Sequence, residues 1–404
     1  MGLHNRVGYF CATIESILLL FRHPEPCPMA EPLKNRYGPD VPRAIAAMIS
    51  AVYPGFKSTA FVRDVLAGYD ALELMPRGKK IAQALRRHLP ADYEPALAVL
   101  LDSLDQPHGR DPSLTLGSFL YLPHTMFVAE FGLAHFAVSM RAQHALTQRF
   151  TAEFSIRPFL EQHPDATLRQ LKVWASDPSP HVRRLVSEGT RPRLPWAPRL
   201  RQFQMDPTPV LALLKLLRDD PELYVRRSVA NNLNDIGKDH PEVLTATAQA
   251  WLKDATAERA WIVGHALRSA IKRGDGGALK VMGFGKAAQV AVGDIQITPA
   301  KAVMGGAVTM AFELANLQTR AQNLLVDLAV HYVKANGQAR VKVFKLKTLE
   351  LAPGQTARFA KKLSLAQMTT RTHYPGLHTV EVMLNGHAHP LGAFELLTRA
   401  DGSF

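Results

Sequence analysis

From residue 40 to about residue 279, apolar positions recur at helical spacing, and Pro or Gly punctuates the joins. Residues 41–52, 58–74, 79–88, 93–104, 127–150 and 168–175 each predict helix with one apolar face. Residues 207–217 and 241–252 predict the leading helices of later pairs, and 258–273 ends the series. No stretch before residue 280 alternates with period two for long. Amphipathic helices in such a run must bury their faces on one another. The pattern therefore predicts a mostly α chain, a solenoid of roughly six helix pairs.

Gly274-Asp-Gly-Gly277 breaks this pattern, and beyond it the period changes. Short runs rich in β-branched residues occupy 289–292, 307–314, 325–334, 339–348, 357–362 and 378–384. Asn336-Gly337 and Asn385-Gly386 are hairpin-turn dipeptides. About seven short strands at this spacing predict a small immunoglobulin-like β-sandwich. The expected organisation is a helical domain over 33–280 and a sandwich over 286–404. Residues 1–32 stand apart as a disordered or mis-assigned extension, with Met29 as the expected start. The apolar part of that extension, 9–21, is interrupted by Glu15, is too short to span a bilayer and lacks a cleavage site.

Two segments of the helical part repeat each other. Asp177-Pro-Ser-Pro-His-Val-Arg-Arg-Leu-Val-Ser-Glu188 and Asp220-Pro-Glu-Leu-Tyr-Val-Arg-Arg-Ser-Val-Ala-Asn231 are offset by 43 residues, counted from Pro178 to Pro221. That is the period of two-helix HEAT-type repeats, which predicts a right-handed HEAT-like α-solenoid. On a helical wheel Val182, Leu185, Val186 and Gly189 share an inner face, as do Val225, Ser228, Val229 and Asn232. Arg184, Glu188 and Arg191 fall opposite, and so do Arg227, Asn231, Asn234 and Asp235. Two stacked helices are thus expected to present an outward strip of arginines punctuated by carboxylates. Arg191-Pro-Arg-Leu-Pro-Trp-Ala-Pro198 links the copies as a stiff loop carrying Trp196.

Composition narrows the partner. The 404-residue chain carries a net charge of +13, which favours a polyanion and nucleic acid first. The sandwich contributes 13 Lys and Arg against 7 Asp and Glu. Only Cys11 and Cys27 occur, so neither a disulfide framework nor a cysteine zinc site is expected in the body of the chain. The histidines show no metal-ligand spacing. His387 and His389 flank Ala388 and are read as an exposed turn. No metal and no cofactor is expected, and the reducing cytoplasm is the default location.

Thr151-Ala-Glu-Phe-Ser-Ile-Arg-Pro-Phe159, the two Val-Arg-Arg helices and the Trp196 loop together resemble the AlkC branch of the HEAT-like DNA glycosylases. The resemblance covers about residues 33–280. The C-terminal sandwich is similar to the immunoglobulin-like domain of one AlkC subgroup. This resemblance implies excision of cationic alkylated bases, 3-methyladenine and 3-methylcytosine, from double-stranded DNA in base excision repair. It implies a cytoplasmic, nucleoid-associated monomer without membrane contact, and DNA held on a concave surface without a deep base-flipping pocket. It places Glu153, Glu188, Asp235 and Trp196 around the lesion, and Arg184, Arg191 and Arg227 on phosphates.

The residues themselves give this reading a chemical basis and keep alternatives beside it. Alkylation makes the base a cationic leaving group, and its departure leaves an oxocarbenium-like sugar that carboxylates stabilise. Asp235 and Glu153 are assigned to sugar and water, and Glu188 to the same cluster or to the lesion. Against this, Arg184 and Glu188 are spaced i, i+4 and form an ordinary helix-surface ion pair. Asp235 sits at a helix C-terminus, where the dipole disfavours an acid, which favours a functional reason for it. Trp196 is either a packing plug or a ring that stacks on a cation. Trp251 and Trp261 are expected in the core. No lysine stands out as a Schiff-base nucleophile, so a monofunctional hydrolase is expected. Periodicity and charge alone leave open a non-catalytic HEAT-repeat scaffold for nucleic acid or protein.

Overall fold

The computed structural model describes residues 33–106, 117–367 and 372–398. The expected extension over 1–32 lies outside the described residues. After a 3-10 turn at Leu33–Arg36 come α1 (Asp40–Val52), α2 (Ser58–Leu66), α3 (Leu74–His88) and α4 (Tyr93–Asp102). A second 3-10 turn, Gly117–Tyr121, leads into α5 (Leu122–Phe131), α6 (Phe136–Thr147), α7 (Arg157–Gln162), α8 (Pro164–Trp174) and α9 (Pro180–Gly189). The series continues through α10 (Arg201–Met205), α11 (Thr208–Leu217), α12 (Leu223–Ile236), α13 (Pro241–Leu252), α14 (Ala257–Lys272) and α15 (Gly276–Val281).

Two joins differ from the expected ones, each for a local reason. The run at 58–74 stops at Leu66 because Gly68 turns the chain with φ +71°, and the next helix starts early, at Leu74. The run at 127–150 is two helices, since the chain bends at Gly132. A Cβ there would lie 2.4 Å from both the Ser139 and Tyr93 hydroxyls. The short helices α7, α10 and α15 are too brief to show a period.

The duplicated segments fold as duplicates. Asp177 Oδ1 accepts the Ser179 amide at 2.8 Å, and Asp220 Oδ1 accepts the Glu222 amide at 2.9 Å. Each aspartate thereby forms the turn that starts its helix. The first arginine of each Val-Arg-Arg reaches back over that turn. Arg183 Nη1 donates to the carbonyls of Asp177 and Pro178, and Arg226 Nη1 to those of Asp220 and Pro221. Arg183 also grips Asp220 in the next copy, at 2.6 and 3.1 Å, while His144 Nε2 and Asp177 Oδ2 lie 2.8 Å apart one step earlier. The repeat is therefore stitched from copy to copy by polar contacts to the aspartate of each turn. Val182, Leu185 and Val186 of α9 and Val225 and Val229 of α12 are fully buried, as the wheel predicts.

The described residues divide into two compact units, the first ending at Asp239 and the second beginning at His240. The division falls ahead of the change from helix to strand, so α13–α15 pack with the sandwich. A Cβ at Gly386 would lie 2.4 Å from Leu279 Cδ1, and φ there is +82°, so the Asn385-Gly386 turn needs glycine for both conformation and approach.

The second unit contains β1 (Val290–Thr298), β2 (Lys301–Val303), β3 (Ala307–Asn316), β4 (Gln322–Val333), β5 (Ala339–Leu351), β6 (Thr356–Ser364), β7 (Gly376–Leu384) and β8 (His387–Leu397). A three-stranded sheet, β1-β3-β6, faces a five-stranded sheet, β2-β8-β7-β4-β5. Strict alternation along β3 sends Val308, Met310, Phe312 and Leu314 into the shared core with Leu328, Val330 and Val382. β2 and β8 are two strands beyond the expected set. His387 and His389 lie on β8 and not in an exposed turn. Pro390 and Gly392 hide that strand's alternation, and Pro390 fits because a register shift skips Leu391 beside it. Trp251 is buried as expected, but Trp261 is 38% exposed and stacks on His265 at 5.0 Å. No described helix is long and apolar enough to cross a membrane.

Candidate active site

Three segments of the first unit bring their acids together. Glu153 comes from the turn that precedes α7, Glu188 from the last turn of α9, and Asp235 from the last turn of α12. All three are at most 5% exposed. Gly189 lets α9 approach the turn before α7, and Asn232 ties α12 to α9. A Cβ on Gly189 would lie 2.5 Å from Ile156 Cγ2, and Asn232 Nδ2 donates to the Ser187 carbonyl at 2.7 Å.

Buried carboxylates require partners, and each has one. Arg184 Nη1 donates to Glu153 Oε2 at 2.8 Å, while Arg184 Nη2 lies 3.6 Å from Glu188 Oε1. Arg191 Nη1 donates to Glu188 Oε1 at 2.6 Å, and its Nε donates to Asp235 Oδ2 at 2.8 Å. Lys238 Nζ closes the chain on Asp235 Oδ1 at 2.7 Å. The hydroxyls of Thr151 and Ser228 donate to Glu153 Oε2 and Glu188 Oε2 at 2.9 and 2.6 Å. Acids and bases thus alternate along one network: Glu153, Arg184, Glu188, Arg191, Asp235, Lys238. Among the described residues no cluster of His, Cys, Asp and Glu is arranged to hold a metal.

This corrects the expected outward strip. Arg184 and Arg191 are 8% and 6% exposed, and Asn231, Asn234 and Asp235 are buried too. The wheel ranks polarity around one helix and cannot show that the 151–156 turn and the 191–200 loop are covalently placed to cover that side. The two guanidiniums are consumed by carboxylates, so neither is an open phosphate ligand in this DNA-free chain. Arg184 also lies over the Tyr224 ring at 5.0 Å. Arg227 differs. Its i+4 neighbour is Asn231 where Arg184 has Glu188, it is half-buried, and among the described residues it has no ion pair.

The two glutamates are driven apart electrostatically. Burial raises the pKa of Glu153, Arg184 pulls it back only in part, and the like charge of Glu188 adds to the rise. Burial also acts on Glu188, but Arg184 and Arg191 outweigh it and hold its pKa below the usual range. Against burial, Tyr224, Glu153 and Glu188 hold Arg184 above its ordinary range, and Glu188 and Asp235 do the same for Arg191.

Trp196 is 51% exposed, which removes the packing-plug reading. Its φ is +65°, a left-handed conformation that costs a non-glycine residue about 1–3 kcal/mol and persists only where surroundings enforce it. Pro192, Pro195 and Pro198 stiffen the loop, and Leu200 N closes its base on the Pro192 carbonyl at 3.2 Å. Arg193 is paired with Asp239. Sequence reasoning missed Arg157, Thr151, Ser228 and Lys238. The first touches this loop, and the others touch the acids. Only the position of Lys238, three residues after Asp235, was a signal visible in the chain.

Comparison with known proteins agrees with this geometry. A family model described as "Uncharacterised protein YhaZ, C-terminal Ig-like domain" matches residues 291–398. The protein YhaZ of Bacillus subtilis (strain 168) is 35% identical over 355 residues, 88% of this chain and 96% of that protein. The Pseudomonas fluorescens alkylpurine DNA glycosylase AlkC, solved bound to DNA containing an abasic site analog, superposes with a TM-score of 0.85. Its identity is 39%, over 92% of this chain and 100% of that one. The chain therefore belongs to the AlkC family, in the branch that ends in a YhaZ-type immunoglobulin-like domain.

Proposed function

We propose that the protein is a monofunctional DNA N-glycosylase that releases 3-methyladenine and 3-methylcytosine from double-stranded DNA. The observation that carries the reading is the convergence of Glu153, Glu188 and Asp235 in one buried, charge-balanced network. A solenoid that only binds partners has no need to bury three acids. The similar P. fluorescens protein is an alkylpurine DNA glycosylase, and its solved state holds an abasic site analog, which supports the same substrate class here.

The roles divide by what each oxygen already does. Both oxygens of Glu188 and both of Asp235 accept hydrogen bonds, whereas Glu153 Oε1 accepts none among the described residues. We assign Glu153 to the attacking water, through that oxygen. Asp235 faces the developing positive charge on the sugar. Glu188 holds Arg184 and Arg191 in place and adds negative potential beside the lesion. Trp196 stacks on the deoxyribose or the cationic base. A cationic base leaves without a general acid, so water attack at the anomeric carbon completes the hydrolysis. Lys238, the lysine of the network, donates to Asp235 Oδ1, and we assign it to holding that acid and not to a Schiff base, so the strand stays intact.

A duplex oligonucleotide containing one 3-methylcytosine tests the whole reading. The expected product is an abasic strand that breaks only after alkali. A nick without alkali would remove the monofunctional assignment, and an unchanged duplex would remove 3-methylcytosine from the substrates.

Arg227, the unpaired arginine of the second copy, is assigned to a backbone phosphate. Arg227→Ala should weaken binding about equally for duplexes of different sequence and flatten the salt dependence by about one phosphate contact. Fluorescence anisotropy across a salt series measures this. A loss confined to one sequence, or an unchanged slope, contradicts the assignment.

The raised pKa of Glu153 sets the pH dependence. Glu153 must be ionised to accept a proton from water, so the rate is full above its folded pKa and falls as pH drops through it. The acid limb of single-turnover excision should therefore lie above the ordinary glutamate value of 4.5, and Glu153→Gln should remove the limb together with most of the rate. An unshifted limb in Glu153→Gln would reassign the water to another group.

A further inference from the structure

Arg157 opens α7 and is 4% exposed, yet among the described residues it pairs with no carboxylate. Glu153, Glu188 and Asp235 are already matched to Arg184, Arg191 and Lys238. The two terminal nitrogens of Arg157 donate to backbone carbonyls instead, while Nε is buried without a hydrogen-bond partner among the described residues. Nη1 donates to the carbonyls of Gly189 and Arg191, at 3.2 and 2.8 Å, and Nη2 to that of Pro198 at 2.5 Å. Those three carbonyls flank the loop that carries Trp196. The first two lie where it leaves α9, and the third lies two residues past the indole. The close approach of Ile156 to Gly189 brings Arg157 within reach of the loop's start. Burial, opposed by Glu161 and reinforced by Arg191, lowers its pKa to about 10, so the guanidinium stays cationic at neutral pH.

We propose that Arg157 is the positioning residue for Trp196, its planar fork clamping both ends of the loop and so enforcing the left-handed backbone that presents the ring. The loop's own short hydrogen bonds, its prolines and the Arg193–Asp239 pair restrain its interior, and Arg157 is the side chain that ties residues 189 and 191 to residue 198. A lysine cannot replace it, because one ammonium on a flexible stem does not span two chain segments at fixed angles. The inference rests on the reading of Trp196 as the ring beside the lesion, but the clamp itself is a property of the DNA-free chain.

The test uses the full chain labelled with 5-fluorotryptophan. It has four tryptophans, and Trp196→Phe identifies the line of interest. In Arg157→Lys the Trp196 fluorine line should shift and broaden while the lines of Trp174, Trp251 and Trp261 hold. Single-turnover base release should fall on the order of 10²-fold, the scale set by misplacing a group by about an ångström. It should match Trp196→Ala, and the double variant should be no slower than Trp196→Ala alone. Pro198→Gly is the second variant. It keeps the carbonyl that Arg157 Nη2 binds but releases φ at that residue, so the far end is no longer held in place against the fork, and it should reproduce both effects. If all four lines collapse in Arg157→Lys, Pro198→Gly alone decides the matter. A Trp196 line of wild-type shape in either folded variant overturns the clamp, as do losses that multiply in the double variant. Full-rate release by Trp196→Ala would instead overturn the role of the ring, and the fluorine line would still judge Arg157.

Discussion

Asp235→Asn is expected to lose base release by on the order of 10²–10³-fold, the range for removing one preorganised electrostatic group from a water-poor site. Asparagine keeps the volume and leaves Arg191 Nε an oxygen to donate to, so the fold should persist. What disappears is the negative charge assigned to the sugar as the base departs. Removing one negative charge from a DNA-binding face should leave affinity for an undamaged duplex equal or slightly higher. The expected pattern is thus a rate that collapses while binding does not. Asp235 accepts from both Arg191 and Lys238, at 2.8 and 2.7 Å, and those two cations offset the helix dipole acting against it. Single-turnover kinetics with binding on the same duplex checks the split. A rate within about threefold of wild type, against the 10²-fold scale above, would remove Asp235 from the chemistry.

Arg191→Met should be the most destabilising of these substitutions. Its guanidinium is shared by Glu188 and Asp235, and all three side chains are at most 7% exposed. Removing one partner of a buried ion pair typically costs about 3–5 kcal/mol, because the remaining charge keeps its desolvation penalty. For a unit of this size that corresponds to a fall in Tm of roughly 10 °C or more. Acidification should partly rescue the variant, since protonation removes the uncompensated charge. The sign in the wild type is the reverse for Glu188. Its folded pKa is depressed, so its stabilising contribution is present above the unfolded value and is lost as pH falls through the folded one. Calorimetry of both proteins from pH 2 to 8 separates these trends, because the loss for Glu188 falls below the ordinary glutamate value of 4.5. A Tm within about 2 °C of wild type at pH 7 would mean that the network carries little of the stability.

Much of this architecture is legible in the chain because it depends on local rules. The Asp-Pro turns and paired arginines at Arg183 and Arg226 announce a repeat, and its period selects the solenoid. Alternation along 307–314 and the Asn-Gly dipeptides announce the sandwich. The strand at His387–Leu397 escapes notice because Pro390 and Gly392 interrupt the alternation that would reveal it. The site is half legible for a different reason. The identities of Glu153, Glu188 and Asp235 follow from the motifs, but their burial does not, because what covers Arg184 and Arg191 comes from other segments. Arg157 is invisible in the sequence, since its partners are backbone carbonyls more than thirty residues away and leave no trace in residue type.

The same limit explains the changed view of the arginines. A positive charge on a predicted polar face reads as a phosphate ligand, and the net charge of +13 encourages that reading. Within the fold, Arg184 and Arg191 pair with three buried acids, and of the three named arginines Arg227 is the one without an ion pair among the described residues. An acid cluster neutralised in this way can lie close to DNA without repelling it, which resolves the conflict between carboxylates and phosphates that the sequence poses.

The most direct test of the central claim is the release of free 3-methyladenine from alkylated duplex DNA by the purified full-length protein, quantified by chromatography beside Asp235→Asn and a protein-free control. The account predicts rapid release by the wild type and release near the control rate by Asp235→Asn. Wild-type release no faster than the control would contradict it.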